Sequence, residues 1–173
     1  MRLAAAALAV FVALALQTTL AFTLSARGVA LDLVLVVVIF VALVNGPTAG
    51  LLTGSVAGLA QDALAGGIVG VGGLAKSLVG FLSGVLGTQF IVTGAAHRFV
   101  VFFFGALLHA GVFLGLYQVI DPRGLGVAWR AVALQAAVNA AVGVGAFILV
   151  ERTPEWYQRR KLSRMTLRSR GGG

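Results

Sequence analysis

Residues 46–87 read GPTAGLLTGSVAGLAQDALAGGIVGVGGLAKSLVGFLSGVLG, and within them Gly54, Gly58, Asp62, Gly66 and Gly70 recur at every fourth position. On a helix, positions i and i+4 share one face, so Gly54, Gly58 and Asp62 form a single stripe. In water each glycine costs a helix about 1 kcal/mol relative to alanine. In a bilayer the same residues let a second helix approach backbone to backbone. The stretch therefore predicts two membrane helices, about 48–65 and 74–92, joined by a glycine-rich turn. Gly80, Gly84 and Gly87 give the second helix its own small-residue face, so the two pack as a hairpin.

Composition agrees with this reading. Of 173 residues, 60% are hydrophobic and only 10% charged, and the mean hydropathy is +1.03. A soluble domain carries about 25% charged residues. The chain cannot cover itself with a polar surface and reads as an integral membrane protein of one domain. There is no cysteine, which excludes a disulfide framework and a thiolate metal site. The net charge of +8 does not point to nucleic acid, because seven of the thirteen basic residues follow the last apolar stretch, from Arg152 onward. A basic tail there fits a cytoplasmic end, and Arg159, Arg160, Lys161 and Arg164 are candidates for contact with anionic lipid headgroups.

Outward from the hairpin, four more apolar stretches are expected to span: about 3–24, 29–44, 99–120 and 128–150. The first has a cleaved signal peptide as its rival reading, since Arg2 precedes an apolar run. Its length favours a retained helix, with Ala5, Ala9 and Ala13 as a packing stripe. The turns are Ser25–Gly28, Asn45–Pro47, Thr93–Arg98 and Asp121–Gly124, and Thr153-Pro154 is expected to end the sixth span. Phe99, Phe102, Phe103, Phe104 and Phe113 suit a lipid-facing surface on the fifth. Trp129 on one side and Trp156 and Tyr157 on the other suit the two interfaces. Six spans put both termini on one side, residues 1–151 forming the membrane domain and 152–173 a cytoplasmic tail. Nine basic residues then lie inside and four outside, in the sense of the positive-inside rule. A merely re-entrant 66–90 segment would instead leave five spans and an outer N-terminus.

An ionisable group within a span is a functional-site candidate whose partner must be named. Asp62 is that group, and Lys76 at the start of the next helix is its expected partner. The pair reads as a hairpin-locking ion pair, a docking or gating point, or part of an ion relay. Asp32, in the first turn of span two, reads as a dipole-placed charge at the interface. His109 reads as a hydrogen-bonded packing residue, and Gln135 and Asn139 as hydrogen-bonding glue between helices. No catalytic constellation is present. Gly80–Gly84 has one residue too many for a GxSG protease motif, and Gly70–Ala75 resembles GxGxxA without a surrounding βαβ unit. Neither a cofactor nor a metal site is expected.

The motif Gly54, Gly58, Asp62, Gly66, Gly70, followed by Leu74-Ala-Lys-Ser77 and Leu82, resembles that of the rod shape-determining MreD family. Length, six spans and a short basic tail fit too. The family's proline before span two is absent, Leu31-Asp32 standing there, and Phe81 occupies a position where many members have tyrosine. The resemblance implies an all-α membrane protein, a six-helix bundle similar to the substrate-binding subunits of energy-coupling-factor vitamin transporters. It implies a non-catalytic component of the elongation machinery in the bacterial cytoplasmic membrane. Such a protein binds MreC and links the RodA glycosyltransferase and its class B penicillin-binding partner to MreB. Gly54, Gly58, Asp62, Gly66, Gly70 and Lys76 are the expected packing and docking residues. The alternatives are a small-molecule-binding subunit of a transporter and, weaker for lack of a nucleophile or metal set, a membrane enzyme.

Overall fold

The computed structural model describes residues 3–25, 31–89, 94–120 and 128–170, with side chains for 4–19, 31–89, 94–120 and 128–152. The described residues form six α-helices: α1 (Leu3–Ser25), α2 (Leu33–Asn45), α3 (Pro47–Ala65), α4 (Val71–Gln89), α5 (Ala95–Ile120) and α6 (Trp129–Arg170). The expected turn residues 26–28, 93 and 121–124 lie outside the described residues. So do the side chains of Trp156, Tyr157, Arg159, Arg160, Lys161 and Arg164. Among the described residues three helices are long and apolar enough to cross a membrane: α4, α5 and the Trp129–Arg152 part of α6. Two shorter apolar stretches, Ala4–Thr19 and Leu33–Asn45, accompany them. The protein is an all-helical membrane protein.

The centre of the bundle is α2, which touches each of the other five helices. Its sequence, LVLVVVIFVALVN, is apolar on every side, the pattern of a helix buried all round. Val34, Leu35, Val36, Val38, Ile39, Val41 and Ala42 are buried. The helix opens at Leu33, later than the apolar run suggests, because the Asp32 carboxylate caps it by accepting from Leu35 N–H at 2.9 Å. It closes at Gly46, whose φ of +89° suits glycine, and Pro47 starts α3 directly. Thirteen residues give about 20 Å of helix, against about 30 Å of hydrocarbon. Asp32 and Val34 at its N-terminus are buried, so α2 begins inside the bundle.

Two clusters form the core. Val34 and Val38 of α2 meet Ala13 of α1 and Ala57 of α3. On the other side Leu35, Val36 and Ile39 meet Val79, Phe102, Ala106, Ala136, Ala140 and Phe147. Phe102 corrects the expectation that the phenylalanines of the fifth span all face lipid. It is fully buried, and its ring fills the space that Gly143 leaves on α6, while Phe99 and Phe104 remain exposed. The outer surface is apolar instead: Leu8, Phe11, Leu52, Val56, Leu74 and Leu149 are all exposed, as a lipid-facing exterior requires.

The last two helices differ from expectation at their ends. α5 starts at Ala95, so Arg98 lies in its first turn rather than in a loop. Its guanidinium pairs with both carboxylate oxygens of Glu151 on α6 and lies 4.4 Å from the Phe147 ring centroid. α6 runs through Thr153-Pro154 to Arg170. A proline inside a helix removes one backbone hydrogen bond, but here the helix is not ended by it.

Candidate functional site

The α3–α4 seam is built from the glycine stripe. A Cβ on Gly54 would collide with the Lys76 carbonyl and Ser77 N, and one on Gly58 would lie 2.6 Å from Gly73 Cα. Gly50 and Gly80 are likewise in backbone contact. Where backbones touch, no side chain larger than hydrogen fits. Ser55 Oγ and Ser77 Oγ, 2.7 Å apart, add a polar link across the seam. Gly54 and Gly58 are thus covered by α4, which commits them to packing within the chain rather than to a partner helix.

Asp62 does not meet Lys76. Its Oδ2 accepts the backbone N–H groups of Gly70 and Gly72 at 2.9 Å and of Gly73 at 3.2 Å. These are orphan donors at the start of α4, where a helix favours an anion. A side chain on Gly72 would strike this carboxylate. Gly66 ends α3 in the left-handed conformation, φ +67°, and Gly70 turns the chain at φ +109°. Asp62 therefore locks the hairpin by capping, not by an ion pair.

Lys76 pairs instead with Asp32, Nζ to Oδ2 at 2.8 Å, and both side chains are buried. Asp32 does stand at the start of α2, where the helix dipole favours a carboxylate, but it is buried against Lys76 rather than exposed at an interface. Lys76 Nζ also lies 3.1 Å from His109 Nε2. An ammonium has only donors, so Nε2 accepts and the ring proton sits on Nδ1. His109 is hydrogen-bonded, as expected, and its partner makes it the third member of the cluster. Asn139 Oδ1 accepts Asp32 N–H at 3.0 Å, and Gln17 Oε1 accepts Val34 N–H at 3.2 Å. Asn139 does join helices, as its place in an apolar span suggests.

The cluster thus ties α1, α2, α4, α5 and α6 at one level. Gln17, Asp32, Lys76 and His109 each lie thirteen or fourteen residues from the helix ends Leu3, Asn45, Gln89 and Ala95, and Asn139 lies thirteen from Arg152, where the apolar part of α6 ends, about 20 Å in each case. From His109 a stack continues along α5, to Phe113 at 5.8 Å between centroids and on to Tyr117 at 4.9 Å. Tyr117 Oη accepts Ile68 N–H at 3.2 Å, holding the α3–α4 turn against α5. The signal for Asp32 and His109 was present, since each is ionisable in or beside an apolar run. Their mutual placement was not, because it depends on how deep α2 starts.

Among the described residues no group of three or more His, Cys, Asp or Glu side chains could hold a metal ion. The arrangement fastens helices to one another. In comparison with known proteins, the family model of rod shape-determining protein MreD matches residues 2–142. No curated protein and no solved structure matches the chain.

Proposed function

The chain belongs to the MreD family of rod shape-determining proteins, and we propose that it is a non-catalytic scaffold of the cell-elongation complex in the bacterial cytoplasmic membrane. In this reading it binds MreC and connects RodA and its class B penicillin-binding partner to MreB. The family match over residues 2–142 is the observation that carries it. The use of the charges supports it: Asp32 and Lys76 are buried, Asp62 is half-buried, and each joins one helix to another. We further propose six membrane passes with both termini cytoplasmic, residues 152–173 forming a basic tail that contacts anionic headgroups through Arg159, Arg160, Lys161 and Arg164. The likeness to energy-coupling-factor substrate-binding subunits belongs to the same proposal and brings no function with it.

Affinity purification from native membranes in mild detergent, with co-purifying proteins identified by mass spectrometry, tests the scaffold reading. Recovery of MreC and the synthases is expected. Recovery of a transporter ATPase module in their place would overturn it. Asp62 is proposed to hold the geometry of the α3–α4 turn needed for assembly. Wild-type rod shape in an Asp62→Ala strain at normal membrane level would sink that assignment, and misshapen cells at normal level are expected.

A further inference from the structure

The exposed face of the α3–α4 hairpin is apolar without a break. From Leu51, through the turn, to Leu86, every exposed residue is Leu, Val, Ile, Phe, Ala or Gly, and the exposed polar residues nearest on either side are Thr48 and Thr88. From Thr48 to Gly66 the chain rises about 27 Å at the helical rate, less than the ~30 Å of the hydrocarbon layer. On α5 the exposed polar residues His97 and Gln118 are about 32 Å apart, which matches that layer. The turn reaches only the level of Tyr117, a residue type typical of the membrane interface. Val69, 62% exposed, and Ile68, 37% exposed, form its tip.

The backbone of the turn tells the same story. Here Ile68 N–H goes to Tyr117, and those of Gly70, Gly72 and Gly73 converge on one Asp62 oxygen. Irregular backbone at membrane depth must be satisfied internally in this way. We propose that the Gly66–Gly70 turn lodges in one leaflet at the edge of the hydrocarbon, with Ile68 and Val69 against lipid acyl chains rather than water or a protein partner. α5 continues past the turn to Ile120, and lipid fills the step beside it. The inference rests on the hairpin being embedded in the membrane.

The chain has no cysteine, so single cysteines can be placed without a background. Val69→Cys, Val56→Cys and Gln118→Cys proteins are reconstituted in nanodiscs of phosphatidylethanolamine and phosphatidylglycerol, where both membrane faces are open. Each is reacted with a charged maleimide and, separately, spin-labelled for collision with oxygen and with a nickel chelate. A charged reagent is held out of hydrocarbon by some kcal/mol, so Val69→Cys should react about tenfold or more slowly than Gln118→Cys. Its spin label should collide with oxygen more than with nickel. Fast reaction at 69 with slow reaction at 56 overturns the inference alone. Fast reaction at both overturns the embedded hairpin itself. Slow reaction at 69 with little collision by either reagent means a protein cover, and also overturns it.

Discussion

Asp32 divides its work between two oxygens. Oδ1 caps α2 at Leu35 N–H, while Oδ2 takes the Lys76 ammonium. The cap and the ion pair can therefore be separated by mutation. Lys76→Met leaves a carboxylate buried without its counter-charge, an uncompensated cost of about 3–5 kcal/mol. Asp32→Asn keeps an oxygen for Leu35 N–H, since asparagine is as good a cap as aspartate. The double variant Asp32→Asn/Lys76→Met, with neither charge of the pair left, should recover most of the thermal stability that Lys76→Met loses. Fluorescence-detected size-exclusion melting curves in detergent would show it. A double variant no more stable than Lys76→Met would mean that the pair does not act through charge.

Elements meet here in two different ways. α3 and α4 touch backbone to backbone, so their seam has no room for change. α5 and α6 interdigitate large side chains, Phe102 filling the space at Gly143. Gly54→Leu should push α4 off α3, carry Lys76 away from Asp32 and cost about 1–3 kcal/mol or more. Gly111 on α5 faces open space, so Gly111→Ala should leave the melting temperature unchanged or raise it slightly. Equal losses in the two variants would show that the seam is no tighter than the lipid-facing surface. The glycine stripe was legible because it is local, recurring at every fourth residue of one helix. The Asp62 cap was not, because it depends on the turn folding back to aim three N–H groups at one oxygen.

At the scale of the whole molecule, a short apolar helix sits at the centre and longer ones stand around it. α2 does not reach across a bilayer by itself, and its polar start is sealed by side chains from four neighbours. The proposed six passes with both ends cytoplasmic make a direct prediction. In intact spheroplasts a cysteine replacing Ser169 should be protected from an impermeant maleimide until the membrane is permeabilised, and one replacing Gly124 should react at once. The reverse pattern would invert the topology, and opposite behaviour of Ser169 and an N-terminal cysteine would favour five spans.

By itself the sequence determined that the chain is helical, membrane-bound and folded about a tight α3–α4 hairpin, and its motif marked the family. Those properties follow from composition and from periodicities within single helices. Only the tertiary structure decided that Lys76 serves Asp32 and not Asp62, that His109 completes the cluster, and that Phe102 faces inward. Each of these depends on the relative depth and rotation of helices far apart in the chain. Those are set by where Asp32 starts α2 and how closely the glycines let α4 approach.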